Sequence, residues 1–333
     1  MSACRARAPA SPPSVARATA PPPKIEPIHA GPLTDFVPAA GLRWLVAGSP
    51  RRIMDDPALS RLAWGLLGED GLAELTARTG VELRIAEEAA VAGYPSSTLL
   101  LAATSDPTRA ERAFRASTTA EPRSRSPHPE VTALSGVIGA QPCTLVSARD
   151  RFVALSVGDP RPAWAVLGFA LGRVDLPAAL QGAALATLPA YPAQAPLRFF
   201  APGPFEGEWN AGARGLLAFA TAVAVVAEAG SAGQLRLEVF VAGSFGADDW
   251  TRDRLGESWG DLADSHLGRL LGIDEPREPP VIWAEPTHVS LRVGLDVAVL
   301  VAGLRAAVLA ELPEILGLDG VRGAAPTLDI HTE

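Results

Sequence analysis

The run Phe152-Val153-Ala154-Leu155-Ser156-Val157-Gly158-Asp159 returns near the other end of the chain as His288-Val289-Ser290-Leu291-Arg292-Val293-Gly294-Leu295-Asp296. In each copy three apolar residues spaced two apart (Val153, Leu155 and Val157; Val289, Leu291 and Val293) have the period of a strand with one face on a core. A glycine then turns the chain, and an aspartate is placed to cap a helix that folds back on the sheet. The elements around the two runs recur in the same order: strand, helix, hairpin, Asp-capped helix, further strands, helix. The sequence therefore predicts an α+β fold of two related lobes, each an antiparallel sheet covered by helices, arising by internal duplication.

Length supports two units, because 333 residues exceed the size at which a single core is the usual solution. The boundaries read as a Pro/Ala-rich tether over 1–34, a first lobe over 35–186, a linker over 187–196, a second lobe over 197–320 and a tail over 321–333. In the first lobe, Leu42 to Val46 reads as a strand. Asp56-Pro57 opens a helix that stops at Gly80, strands follow at Ala89–Tyr94 and Thr98–Ala103, and Asp106-Pro107 opens a helix through Arg115. The polar, proline-rich stretch Ser117 to Glu130 reads as a disordered loop. Strands near Thr132–Ile138, Cys143–Ser147 and Phe152–Val157 and a helix near Pro162–Leu171 close the lobe.

The second lobe opens with Leu197-Arg198-Phe199-Phe200 and a short helix near Glu208–Arg214. A hairpin follows, Phe219–Ala229 against Leu235–Val241, in which Leu235, Leu237, Val239 and Val241 alternate with Arg236, Glu238 and Phe240 as in a half-buried strand. One helix is expected from Asp248 or Asp249 to Leu271. Strands Val281–Ala284 and Val289–Val293 and a helix Asp296–Leu312 complete the lobe.

The tether carries the address. Pro9, Pro12, Pro13, Pro21, Pro22, Pro23, Pro27 and Pro32 punctuate a segment with almost no large apolar residues, which cannot bury enough surface to offset its ordering entropy. It begins Met1-Ser2-Ala3-Cys4, small residues followed by a cysteine, and this resembles the end of a bacterial lipoprotein signal. The resemblance implies lipidation of Cys4, membrane attachment through that lipid, and a place on the periplasmic side of the cell envelope. Arg5 stands where the inner-membrane retention signal of enteric bacteria has Asp, which by analogy favours the outer membrane. The alternative is a cytosolic protein with Cys4 as an incidental thiol.

Charge narrows the partners. The net charge is −8, and Arg5, Arg7, Arg17 and Lys24 against Glu26 make the first 33 residues about +3, leaving the body near −11. An acidic body repels phosphate backbones, so no nucleic-acid partner is expected. The longest uncharged apolar run, Leu216 to Ala227, is about eight residues too short to cross a bilayer. Cys143 reads as a small hydrophobe in a strand. Two cysteines and the scattered His29, His128, His266, His288 and His331 assemble no zinc site, and neither metal nor cofactor is expected.

Few residues suggest chemistry. Gly256-Glu257-Ser258-Trp259-Gly260 fits the nucleophile elbow of α/β-hydrolases, which needs a preceding strand; the residues from Asp248 to Leu255 have helical spacing instead. A serine hydrolase using Ser258 with His288 is the enzymatic alternative. Asp261, Asp264 and His266 spread around a helix, so they do not focus on one ion. Gly136-Val137-Ile138-Gly139 reads as a hairpin turn in preference to a dinucleotide loop. Trp44, Trp64, Trp164, Trp250, Trp259 and Trp283 fall mostly on core-facing phases, and Trp209 in its Gly-rich setting is the candidate ligand contact. The favoured function is a non-enzymatic binding or assembly role toward an envelope partner.

Overall fold

The computed structural model describes residues 27–206, 213–245 and 249–315. The first half contains β1 (Trp44–Gly48), α1 (Pro50–Asp55), α2 (Pro57–Thr79), β2 (Ala89–Tyr94), β3 (Ser97–Ala103), α3 (Pro107–Ser117), β4 (Arg123–His128), β5 (Val131–Ile138), β6 (Gln141–Ala148), β7 (Phe152–Gly158) and α4 (Arg161–Ala170). The second contains β8 (Leu197–Pro202), β9 (Ala220–Ala229), β10 (Leu235–Gly243), α5 (Asp249–Asp264), α6 (His266–Leu271), β11 (Glu278–Glu285), β12 (His288–Leu295) and α7 (Val297–Ile315). The protein is α+β, as its sequence predicts.

All the strands among the described residues join one antiparallel sheet, in the order β11-β12-β10-β9-β8-β1-β2-β3-β7-β6-β5-β4. A separate sheet in each lobe is therefore corrected. The first strand of each half has a free edge, and pairing β1 with β8 removes both.

From that central pair outward the two halves run in the same order. On one side lie β1, β2, β3, β7 and β6; on the other, β8, β9, β10, β12 and β11. Register agrees as well. Leu45 pairs with Ala92 and Ala92 with Leu99, while Arg198 pairs with Val226 and Val226 with Glu238. Val153 faces Ala102 as Val289 faces Val241. Val46 lies opposite Phe199, Leu45 opposite Phe200 and Ala47 opposite Arg198, so a local two-fold axis passes through the Val46–Phe199 pair, normal to the sheet.

One face of the sheet buries Leu45, Ala92, Leu99, Leu101, Phe152, Phe200, Ala224 and Phe240, beneath α4 and the turns at Leu33–Phe36, Ala179–Gln181 and Leu185–Thr187. The opposite face carries two clusters. Under α3 lie Leu134, Cys143, Leu145 and Val153; under α2, α5, α6 and α7 lie Leu235, Val241, Val289, Leu291 and Val293.

Capping follows three of the aspartates read from the sequence; at α4 the N-cap is Pro160, without a side-chain cap, and Asp159 accepts from the backbone N–H and the side chain of Arg161 instead. Asp56 accepts from the N–H groups of Ala58 and Leu59 at the head of α2, Asp106 from Arg109 at the head of α3, and Asp296 from Ala298 and Val299 at the head of α7. Helix α2 ends at Gly80, whose φ of 71° is a left-handed value that favours glycine.

Five expectations are corrected. Ser117–Glu130 is not a disordered loop. Arg123–His128 forms the edge strand β4 on β5, because the outer edge of β5 takes a partner even though all the β4 side chains but His128 are exposed. The helix expected from Asp248 or Asp249 to Leu271 is broken at Ser265, whose hydroxyl accepts from Gly268 N–H at 2.9 Å and starts α6 afresh. Strand β10 is covered on both faces, with Glu238 and Phe240 as buried as Val241. The tether expected over 1–34 ends sooner, because Ile28, Leu33 and Thr34 are buried against the folded body. Among the tryptophans, expected mostly on core-facing phases, Trp250 and Trp283 are exposed. The short helix expected at Glu208–Arg214 lies largely outside the described residues.

Replacing Asp56 or Asp296 by Ala is expected to cost about 1 kcal/mol each, read by urea denaturation, since each removes a cap from two N–H groups. The Arg277 guanidinium, and next the Val299 N–H, hold the Asp296 carboxyl below the usual carboxylate range. Its contribution is thus complete above its unfolded pKa of about 3.9 and is lost as pH falls below that value. Wild type and Asp296→Asn should differ in stability at neutral pH and converge in acid.

Candidate docking edge

A sheet has two ends, and here they are built differently. At one end β4 exposes Arg123, Arg125 and Pro127, and its pairing with β5 shifts register between Arg125 and His128. Charge, proline and irregular register all discourage further strand pairing. At the other end stands β11, with β12 as its neighbour among the described residues. Pro279 and Pro280 and a register shift between Glu278 and Val281 guard its first half. The second half, Val281-Ile282-Trp283-Ala284-Glu285, runs in even register and contains no proline.

Each side of this half-strand has its own character. On one side Val281 and Trp283 are 47% and 39% exposed. The Arg292 guanidinium lies 4.9 Å from the Trp283 ring centre and makes a two-pronged ion pair with Glu238, at 2.9 to 3.1 Å. Glu238 is buried, so Arg292 supplies the compensation that a desolvated carboxylate requires. Beside them Phe240 sits between Tyr191 and His288, at ring separations of 6.1 and 6.4 Å.

On the other side a groove of about 480 Å³ opens between α5 and β11, lined by Arg252, Asp253, Gly256 and Glu257 from the helix and by Pro280 and Ile282 from the strand. At Gly256 a Cβ would stand 3.5 Å from Ile282 Cδ1, in ordinary van der Waals contact. Arg214 steadies the helix, bonding Glu257 at 2.9 Å and Asp261 with two nitrogens. That ion pair lowers the pKa of Asp261.

The candidate residues of the sequence fall as follows. Ser258 lies within α5, where its hydroxyl donates to the Arg254 carbonyl at 2.8 Å. That is helical backbone, without the strained strand-to-helix turn of an elbow. His288 opens β12, with Nδ1 3.4 Å from Thr287 Oγ1 and 3.7 Å from Glu285. Both residues stand at the β11 end of the molecule, but each of these contacts is to its own chain neighbours. Cys143 is buried in β6, and burial pushes its thiol pKa up. Gly136–Gly139 leads into the β5–β6 turn, where Gly139 takes φ 61°. Cys4 and Trp209 lie outside the described residues.

Among the described residues no group of three or more His, Cys, Asp or Glu could hold a metal ion, and no helix is long and apolar enough to cross a membrane. A second cleft, of about 500 Å³, is lined by Arg52, Asp55, Asp56 and Glu228. Two of its three carboxylates are engaged: Asp56 caps α2 and Glu228 pairs with Arg236 at 2.5 Å. Composition flags neither Trp283 nor Ile282. The signal is positional, an apolar strand after a proline pair, and it becomes legible only once β11 is known to be an edge.

No family model matches the chain, and no curated protein is matched by its sequence. Among solved structures it is similar to two crystal forms of TP0453. Form III is 10% identical with a TM-score of 0.48, over 84% of this chain and 99% of that one. Form I is 11% identical with a TM-score of 0.44, over 84% and 98%.

Two outcomes test this geometry. Arg292→Met strands the Glu238 carboxylate and should cost about 2 kcal/mol, less than the 3–5 kcal/mol of fully buried pairs because Arg292 is 40% exposed. Adding Glu238→Leu should restore part of the loss in the same denaturation measurement. A fluorophosphonate probe should leave Ser258 unlabelled. Labelling that disappears in Ser258→Ala with the fold intact would establish the hydrolase instead.

Proposed function

We propose that this chain is a lipid-anchored binding or assembly protein of the cell envelope, attached through Cys4, preferentially to the outer membrane, and that it engages an envelope partner at its β11 end. Its two halves, in this reading, descend from one duplicated α+β unit. The shared strand order and the two-fold register about Val46 and Phe199 support the duplication. The lipobox-like Met1-Ser2-Ala3-Cys4 and the proline-rich stretch behind it support the anchor and the tether.

One observation carries the binding reading. The far edge, β4, is blocked by Arg123, Arg125 and Pro127, whereas the half-strand Val281–Glu285 keeps an apolar, partly exposed edge between a helix groove and an exposed tryptophan with its stacked arginine. Trp, Tyr and Arg are the residue types that dominate binding energy at protein interfaces, and Tyr191, Trp283 and Arg292 gather on this side. A non-enzymatic role agrees with Ser258 being tied into a helix.

A photoreactive amino acid at Trp283, incorporated into the full chain in cells, should give a discrete adduct with an envelope protein, and the same group at Arg123 should give none. Cys4→Ser should release the protein from the membrane fraction and reduce the Trp283 adduct. Equal adducts at the two positions would remove the docking reading; unchanged membrane association of Cys4→Ser would remove the anchor.

A further inference from the structure

The internal two-fold relation specifies what fits against β11. Register equates β11 with β6: Thr144, Leu145 and Val146 face Ser156, Leu155 and Ala154 of β7, as Val281, Ile282 and Trp283 face Arg292, Leu291 and Ser290 of β12. The prolines correspond too, Pro142 beside Pro279. In the first half the outer edge of β6 is taken by β5, with Leu134 opposite Leu145, Ala133 opposite Val146 and Ser135 opposite Thr144. Leu134 is fully buried among Ala110 and Phe114 of α3, Leu145 and Val153. Val146, beneath this arrangement, is fully buried as well, whereas its counterpart Trp283 is 39% exposed.

The second half has no strand in that place among its described residues. Between α3 and β6 the chain makes the hairpin β4–β5; between α5 and β11 it makes the short helix α6. Helix α5 nevertheless lies against β11 as α3 lies against β6, and the groove lined by Gly256 and Ile282 stands where α3 and Leu145 receive Leu134.

We infer that β11 accepts an extended segment of a partner protein as an antiparallel strand in the position that β5 holds on β6, and this rests on the reading that the β11 end is the docking end. The segment carries a leucine-sized apolar side chain opposite Ile282, seated in the α5 groove. It carries small or hydroxyl side chains opposite Trp283 and Val281, as Ala133 and Ser135 are opposite Val146 and Thr144. Main-chain hydrogen bonds to the edge supply affinity and the groove supplies selectivity. Arg292 is already paired with Glu238, so it asks for no compensating charge from the added strand.

The chain's own β5 provides the probe: a synthetic peptide of residues 130–139, added to the full-length protein and read by hydrogen exchange of the Val281–Glu285 amides. At ten times its Kd the peptide should slow exchange there about tenfold. A peptide with Leu134→Asp should give no protection, nor should the wild-type peptide on Gly256→Trp, whose ring fills the groove from a helical position with room for a Cβ. Circular dichroism of Gly256→Trp should be unchanged. Absence of protection with the wild-type peptide at millimolar concentration, protection on β6 in place of β11, or protection that survives Gly256→Trp would overturn the strand inference. The Trp283 adduct in cells decides the docking reading separately: an adduct without peptide protection leaves the docking end and removes the strand.

Discussion

A single apolar row holds the sheet together. Reading across the strands, Leu134, Leu145, Leu155, Leu100, Val91, Val46, Phe199, Val225, Val239, Leu291 and Ile282 each lie opposite the next, all on one face. Directly opposed residues in antiparallel strands are the closest side-chain neighbours a sheet offers, and shifting any strand by one residue would turn its whole apolar set to the other face. The registers from β5 across to β11 are therefore coupled to one another through this row, and β4 lies outside it. Its midpoint, Val46 against Phe199, is also where the two halves meet. The halves cannot separate without exposing the row at its centre.

Much of this was legible locally. Strands β7 and β12 declare themselves by apolar alternation and β2 and β3 as short apolar runs, and Asp56, Asp106 and Asp296 mark helix starts through a short-range hydrogen bond that needs no tertiary partner. What was missed depended on neighbours. Arg123-Ser124-Arg125-Ser126-Pro127-His128 has no apolar period, since this edge strand exposes every side chain but that of His128 and takes its place by backbone pairing with β5. The alternation of β10 suggested one wet face, yet Glu238 is buried because Arg292, from a distant part of the sequence, lies over it. The break at Ser265 hides inside a continuous helical pattern. Its local signs are the capping Ser265 and Gly268, where a Cβ would meet the Leu262 carbonyl at 1.9 Å.

The candidate site was illegible for a related reason. Ser258 and His288 attract attention because they carry chemistry, while Ile282 and Trp283 read as ordinary strand residues. Their meaning comes from topology: the same alignment that buries Leu145 and Val146 beneath β5 leaves Ile282 and Trp283 at a boundary. Residue type alone cannot distinguish a covered strand from an uncovered one. The matching strand order and register of the two halves can, because among the described residues each half records what the other lacks.

The short reach of the open edge bears on how such a site works. Pro279, Pro280 and the register shift after Glu278 restrict pairing to the run from Val281 to Glu285, so an added strand makes few main-chain bonds, each contributing about 1 kcal/mol net. From an interface that small, high affinity in free solution is not expected. Under the proposed lipid anchorage, a partner in the same envelope meets the chain at an effective concentration far above its bulk value, and a weak contact then suffices. The same proline pair that limits affinity also protects the isolated molecule. An edge open along its full length would pair with any exposed strand, including a second copy of itself, whereas a half-edge flanked by a shaped groove responds mainly to a segment with the right side chain opposite Ile282.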